Sequence, residues 1–269
     1  MLFPLFDRNP HTRFPLVTLL LIAANVACFW LTYNQPRADA VKTVLERGFV
    51  PQRLSHVGEA QPVIVEQTIE DEKGQQRPLR LQLSTSPSAV YPTILSMMFL
   101  HGGLLHLVSN MWMLWVFGDN VEYRLGRLVF LGYYLAGGVV AVVAQWAINP
   151  ESTVPVIGAS GAVAAVLGGY AVSFPKAMVR TLIFIGFPLL FDLPALLVLG
   201  VWFALQMFAG IQGILAPGEV EVSVAFWAHI GGFLAGVVLM PMLALGASPP
   251  DLDWRSESEE LFRPNSTDR

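Results

Sequence analysis

Long stretches without a single charged side chain constrain this sequence more than any other feature. Phe14 to Pro36 contains no Asp, Glu, Lys or Arg, and its centre, Leu16 to Leu31, is almost wholly apolar. A hydrocarbon core needs ~20 apolar residues in helical form, because a spanning segment must satisfy its own backbone polar groups. The same reading finds a second helix in the charge-free reach Leu81 to Gly118, beginning near Leu95. Further helices are expected over Leu128 to Ile148, Val156 to Phe174, Pro194 to Leu215 and Val222 to Leu245. The fifth is preceded by Leu182 to Phe191, apolar but broken by proline and glycine. No small-residue cleavage site follows the first stretch, so it is read as an uncleaved helix. The expected fold is an all-α, multi-pass integral membrane protein with six transmembrane helices.

Composition agrees. Hydrophobic residues make up 54% and charged residues 13%, against about a quarter charged in ordinary globular domains. The formal net charge of −4 offers no basic patch, so no nucleic-acid partner is expected. A lone cysteine, Cys28, excludes an internal disulfide framework and any cysteine-based metal site.

Residues 1–13 form an N-terminal segment, 14–245 the membrane domain, and 246–269 an acidic tail expected to be disordered. The first loop, 37–92, is long and polar. Within it, Pro62 to Ile69 and Pro78 to Leu83 alternate around Asp71-Glu72-Lys73-Gly74, which suggests a β-hairpin. Basic residues in short loops set orientation. Arg8 and Arg13 precede the first helix, Arg124 and Arg127 join the second and third, and Lys176 and Arg180 join the fourth and fifth. The alternate loops, Asn149 to Pro155 and Ala216 to Glu221, have no Lys or Arg. Both termini are therefore expected to face the cytoplasm, with a bacterial inner membrane expected from the short loops and compactness.

Polar groups inside such helices call for a reason. His101, His106, Asn110, Ser160 and His229 all fall near the starts of helices 2, 4 and 6, which run from outside to inside. Three segments distant in sequence thus deliver them to one layer near the outer leaflet. A serine hydroxyl becomes nucleophilic when a histidine takes its proton, and the oxyanion formed on a carbonyl needs fixed donors. His106 and Asn110, four apart, share a helix face; the Ser160 N–H at a helix start is a further donor. Gly158 and Gly161 clear space around the serine. Gly232 and Gly236 give helix 6 a small face for close packing, naturally against helix 4, which would set His229 beside Ser160. Each group also has a packing reading. His101 is read as tying the long loop to helix 2, and Glu122 and Arg124 as loop anchors. Gln145, Gln206 and Asp192 are read as interhelical or interfacial hydrogen-bonding groups, the tryptophans as belt or core residues, and His56 as carrying no signal.

Taken together, these residues resemble the rhomboid intramembrane serine proteases. The matching text runs from His101-Gly102-Gly103-Leu104-Leu105-His106 through Asn110, Phe117-Gly118 and Glu122. It continues with Gly158-Ala159-Ser160-Gly161-Ala162 and Ala228-His229-Ile230-Gly231-Gly232 with Gly236, covering roughly Thr93 to Leu245. The resemblance implies a six-helix bundle with a Ser160–His229 dyad and no acidic third member. Ser160 would be the nucleophile and His229 the base and acid, with His106, Asn110 and the Ser160 N–H as oxyanion hole. It also implies transmembrane substrates cut within the bilayer, no cofactor and no metal, with helix 5 and the following loop as gate and cap. The sequence departs from the family in lacking a Trp-Arg pair in the first loop. It also carries Ala164 where some members stack a tyrosine on the histidine. A rival reading is a catalytically inactive rhomboid-like protein that binds or chaperones membrane clients; it should lack the serine or histidine, and both are present. A histidine metalloprotease would need His-Glu-x-x-His, whereas His101 and His106 are five apart with Gly102 at the glutamate position.

Overall fold

The computed structural model describes residues 2–8, 14–70, 75–184, 186–215 and 225–245. Residues 71–74, at the centre of the expected hairpin, residues 216–224 and the acidic tail 246–269 lie outside these residues. A short strand β1 (Leu2–Asp7) comes first, then helix α1 (Leu16–Tyr33), α2 (Arg37–Arg47) and α3 (Pro51–Ser55). Strands β2 (Val63–Glu70) and β3 (Gln76–Leu83) pair antiparallel, Val63 opposite Leu83 and Glu70 opposite Gln76. Short helices α4 (Pro87–Val90) and α5 (Thr93–Ser96) lead through a 3₁₀ turn into α6 (Leu104–Leu125). Then come α7 (Arg127–Ile148), α8 (Ser160–Ser173), strands β4 (Met178–Phe184) and β5 (Pro188–Pro194), α9 (Ala195–Leu215) and α10 (Phe226–Leu243).

Four helices, α1, α7, α9 and α10, are long and apolar enough to cross a bilayer. A fifth span joins the pieces before and after a break of 77° at α6. Their outward faces carry Leu20, Leu31, Leu128, Leu197, Phe208 and Met242, as a lipid solvent requires. The membrane-protein expectation holds, but three of its details are corrected. Helix 2 does not begin near Leu95; α6 starts at Leu104 after Gly102-Gly103, where the chain turns sharply. The Leu182 to Phe191 reach, expected only as an apolar run interrupted by proline and glycine before helix 5, takes up regular structure. It folds back as β4 and β5, and β1 adds to the other side of β4. Its alternation of buried Val179 and Thr181 with more open neighbours is a strand period that membrane hydropathy hides. The fold is accordingly helical with two small sheets rather than all-α.

Helix α8 is the centre of the molecule. Eleven of its residues, Gly161 to Ala171, are buried, the pattern of a helix surrounded by others. Glycine lets its neighbours approach to backbone contact. A Cβ at Gly232 or Gly236 of α10 would strike the carbonyl oxygens of Gly161 and Ala165, and one at Gly168 would strike that of Phe233. Tyr133 of α7 ties the crossing together, its hydroxyl lying 2.6 Å from the Ala165 carbonyl and 3.2 Å from that of Gly236. With 14 residues, α8 is only ~21 Å long, short of a ~30 Å core. The irregular segment 149–159 leads into it, exposed or half-buried along most of its length and buried only at Gly158 and Ala159.

The first loop packs onto that segment. Phe49 and Val156 exchange backbone hydrogen bonds at 3.0 and 2.7 Å, the Gln52 N–H reaches the Ser152 carbonyl, and Ser55 Oγ donates to the Pro150 carbonyl. His56 lies between Glu59 and Glu151, 3.0 Å from each. Both carboxylates hold its pKa above the ordinary value by hydrogen bonding, that to Glu151 contributing most. Loop 37–92 has its own small core of Leu45, Val50, Val63, Val65 and Leu83. On the opposite face Glu122 caps α1. Its carboxylate accepts the Val17 N–H at 3.0 Å, the Thr18 N–H at 2.7 Å and the Thr18 hydroxyl at 2.8 Å, holding negative charge at a helix N-terminus.

Candidate active site

Four helices, α6, α8, α9 and α10, together with Gln145 of α7, line one cavity of about 730 Å³. Helix α8 opens with Ser160. Two residues earlier Gly158 takes φ +114°, a conformation that favours glycine, and donates its N–H to the Met97 carbonyl. A side chain there would also collide with His106: a Cβ would lie 2.7 Å from His106 Nε2 and 3.6 Å from Asn110 Nδ2. Glycine at 158 therefore serves both the turn into α8 and the approach of the α6 donors. As the first residue of α8, Ser160 has no intrahelical partner for its own N–H. Ser160 and His106 lie in the first turns of α8 and α6.

His229, in the first turn of α10, sits with Nε2 2.8 Å from Ser160 Oγ and Nδ1 2.8 Å from Gln206 Oε1. An amide oxygen can only accept, so Nδ1 carries the ring proton and Nε2 is free to accept the serine proton. That is the tautomer a general base needs. Gln206 was read in the sequence as one interhelical or interfacial polar group among several; its partner is His229. Trp202, read as a belt or core residue, packs against the same imidazole with ring centroids 6.0 Å apart, and Phe226 meets it edge-on at 6.5 Å. These rings stand where Ala164 offers no aromatic. Sequence reasoning missed these roles because Trp202 and Gln206 lie on the strongly apolar α9, where Gln212 is a second glutamine, and Phe226 is the first residue of α10; the available signal was Gln206, four residues after Trp202 on one helix face.

Asn110 is 6% exposed and its Nδ2 donates to His101 Nε2 at 3.1 Å. This leaves the second amide proton for the cavity. His101, in the segment before α6, thus holds the Asn110 amide on that helix. His106 meets His101 edge-on, with ring centroids 5.1 Å apart. Gln145 of α7 accepts the Ala228 N–H at 3.2 Å, fixing the start of α10 one residue before His229. Gly161 lies against Ala141 of α7, where a Cβ would come within 2.6 Å of the alanine methyl. Val163, Ala164 and Leu167 form an apolar wall of the cavity, and Ser109, Asn149 and Ser152 give it polar lining. The structure thus brings Ser160, His229, His106 and Asn110 to one cavity, with Gly158, Gly161, Gly232 and Gly236 as the close contacts that let them meet.

The Rhomboid domain matches residues 88–245, more than half of the chain and all four of these helices. The chain belongs to the rhomboid family. Among similar curated proteins is Rhomboid-like protein 11, chloroplastic, from Arabidopsis thaliana. It is 35% identical over 152 residues, covering 54% of this chain and 50% of that protein. The Presenilin-associated rhomboid-like protein A, mitochondrial, of Danio rerio is 34% identical over 94 residues, 34% of this chain and 24% of its own length. The Rhomboid protease GluP of Bacillus subtilis is 37% identical over 92 residues, 33% and 18% respectively. The chain spans half or less of the length of these relatives. Two of the three carry organelle names and one is bacterial, so they support a multi-pass membrane rhomboid without supporting a bacterial inner membrane.

Proposed function

We propose that this rhomboid is an intramembrane serine endopeptidase that cleaves transmembrane segments of other membrane proteins. The observation that carries the reading is the hydrogen-bonded line Gln206–His229–Ser160, both links at 2.8 Å. Ser160 Oγ attacks the scissile carbonyl as its proton passes to His229 Nε2. The resulting oxyanion is held by His106, the free Asn110 amide proton and the Ser160 N–H. His229 then protonates the leaving amine, and water repeats the sequence on the acyl-enzyme. Water reaches the serine through the polar side of the cavity, past Ser109, Asn149 and Ser152. Six spans, with α8 as the short central one, termini on the cytoplasmic side and the cavity open to the outer side, complete the proposed architecture. Helix α9 and the loop after it would gate substrate entry.

A fluorophosphonate probe tests the activated serine directly. Wild-type protein in detergent should be labelled on the peptide containing Ser160, and Ser160→Ala and His229→Ala should not. Absence of labelling in folded wild type would favour the rival, a rhomboid-like protein that binds membrane clients without cutting them.

A further inference from the structure

Among the described residues, the imidazole of His229 meets Trp202 and Gln206 of α9 and Phe226 of its own helix besides Ser160, and α9 belongs to the bundle by a narrow strip. Ala195, Val198, Leu199 and Gly210 are its buried residues, and Leu196, Leu197, Leu205 and Phe208 face outward. Against the bundle it leans Phe203, stacked on Phe233 at 4.6 Å between ring centroids, and Gly210, fitted over Ile230 and Trp227. Gln206 stands between these two contacts, and its oxygen lies 2.8 Å from His229 Nδ1. The group that chooses the histidine tautomer is therefore borne by the helix with the least burial near the site.

We infer that Gln206 is a positioning residue for His229. Its side-chain oxygen accepts the Nδ1 proton, fixes Nε2 as the basic nitrogen and aims it at Ser160, while Trp202 holds the ring plane. The inference rests on the Ser160–His229 hydrolytic reading. Without the acceptor, the imidazole is free to place its proton on either nitrogen and to rotate about χ1 and χ2. Half of the tautomers then present an N–H to the serine, which cannot accept its proton. The groups facing His229 from the packed elements are Ser160 on α8, His106 across the cavity on α6, the uncharged Gln145 on α7 and Gln206 and Trp202 on α9. No carboxylate among the described residues stands at Nδ1, so the amide alone does the work that an aspartate does in a serine–histidine–aspartate triad.

The test compares wild type, Gln206→Met, Gln206→Glu and Ser160→Ala in one preparation. Fluorophosphonate labelling rate and steady-state cleavage of a transmembrane substrate are both read. Methionine keeps the length and removes the strong acceptor; glutamate keeps an acceptor. Gln206→Met should lower the labelling rate and kcat together by about 10–100-fold with KM within about twofold, an effect on proton transfer rather than on binding. Gln206→Glu should retain at least about a third of the wild-type labelling rate. A Met variant that labels and cleaves like wild type overturns the inference while leaving the Ser–His reading intact. A Glu variant that keeps the wild-type thermal transition but falls as far as Met also overturns it, since the acceptor is then irrelevant. Should Gln206→Met fail to fold, the Glu variant decides alone. Wild type that neither labels nor cleaves removes both the inference and the reading beneath it.

Discussion

Asn110 shows how much one amide can be asked to do. One of its two protons is spent on His101, so its orientation is set before any substrate arrives, and the other is left for a developing charge. Asn110→Ala removes that donor, and Asn110→Asp replaces it with an acceptor that repels an oxyanion. Loss of one oxyanion-hole donor typically costs about 10²–10³-fold in kcat. Asn110→Ala should fall in that range with KM little changed, and Asn110→Asp lower still, as read by cleavage of a transmembrane substrate under saturating conditions. Gly158→Ala should be as damaging for a different reason. Its φ of +114° disfavours any side chain and its methyl would press on His106 Nε2, so folded protein should retain little labelling at Ser160.

At the scale of elements, the crossing of α8 and α10 decides whether Ser160 and His229 meet at all. Gly236→Val would drive a branched side chain into the Ala165 backbone. Overpacking of this kind costs about 1–3 kcal/mol where neighbours can yield, and backbone yields less than side chains do. Thermal unfolding in detergent should show a clear drop in Tm, larger than for Tyr133→Phe. The latter loses one buried hydroxyl and should cost about 1–2 kcal/mol. Much of this level was legible in the sequence. Gly232 and Gly236 one turn apart predicted a close face, and charge-free runs placed the helices, because hydropathy reports burial in lipid or protein alike. Hydropathy is equally blind to what it cannot distinguish. Leu182 to Phe191 is as apolar as a span yet pairs as β4–β5, and α6 starts nine residues late because Gly102-Gly103 permits a turn that no charge announces. Gln206 was visible but not its partner, since facing residues on α9 and α10 are 23 positions apart and only the bundle's packing brings them together.

For the whole molecule, the first loop has a place it lacked in the sequence. Its residues 49–56 hold the segment 149–157 that leads into Ser160, through backbone pairs at Phe49 and Val156 and through His56 at Glu151. The ordinary histidine value is near 6.5, and the folded value is raised. The protonated pair therefore contributes stability below about pH 6.5 and loses it as pH rises through the folded value. Glu151 is held below the ordinary carboxylate range chiefly by His56, so the contribution also fades in strong acid as the carboxylates protonate. The Tm difference between wild type and His56→Gln should be widest near pH 5–6 and shrink toward pH 8; a gap that is flat across this range would mean the contact is not ionic. The two sheets differ in what they pack on: β2–β3 lies against α2 within the first loop, whereas β1–β4–β5 lies against α6 and α9 and carries the Arg180–Asp192 pair.

The central claim concerns hydrolysis inside a bilayer, and it is tested most directly by reconstituting the full chain in liposomes with a tagged single-span substrate. Wild type, Ser160→Ala and His229→Ala would be followed on a gel, with a chelator in parallel. The account predicts cleavage by wild type, none by either variant and no effect of the chelator. Cleavage that survives in Ser160→Ala, or wild type that retains the substrate on pull-down yet never cuts it, would contradict it.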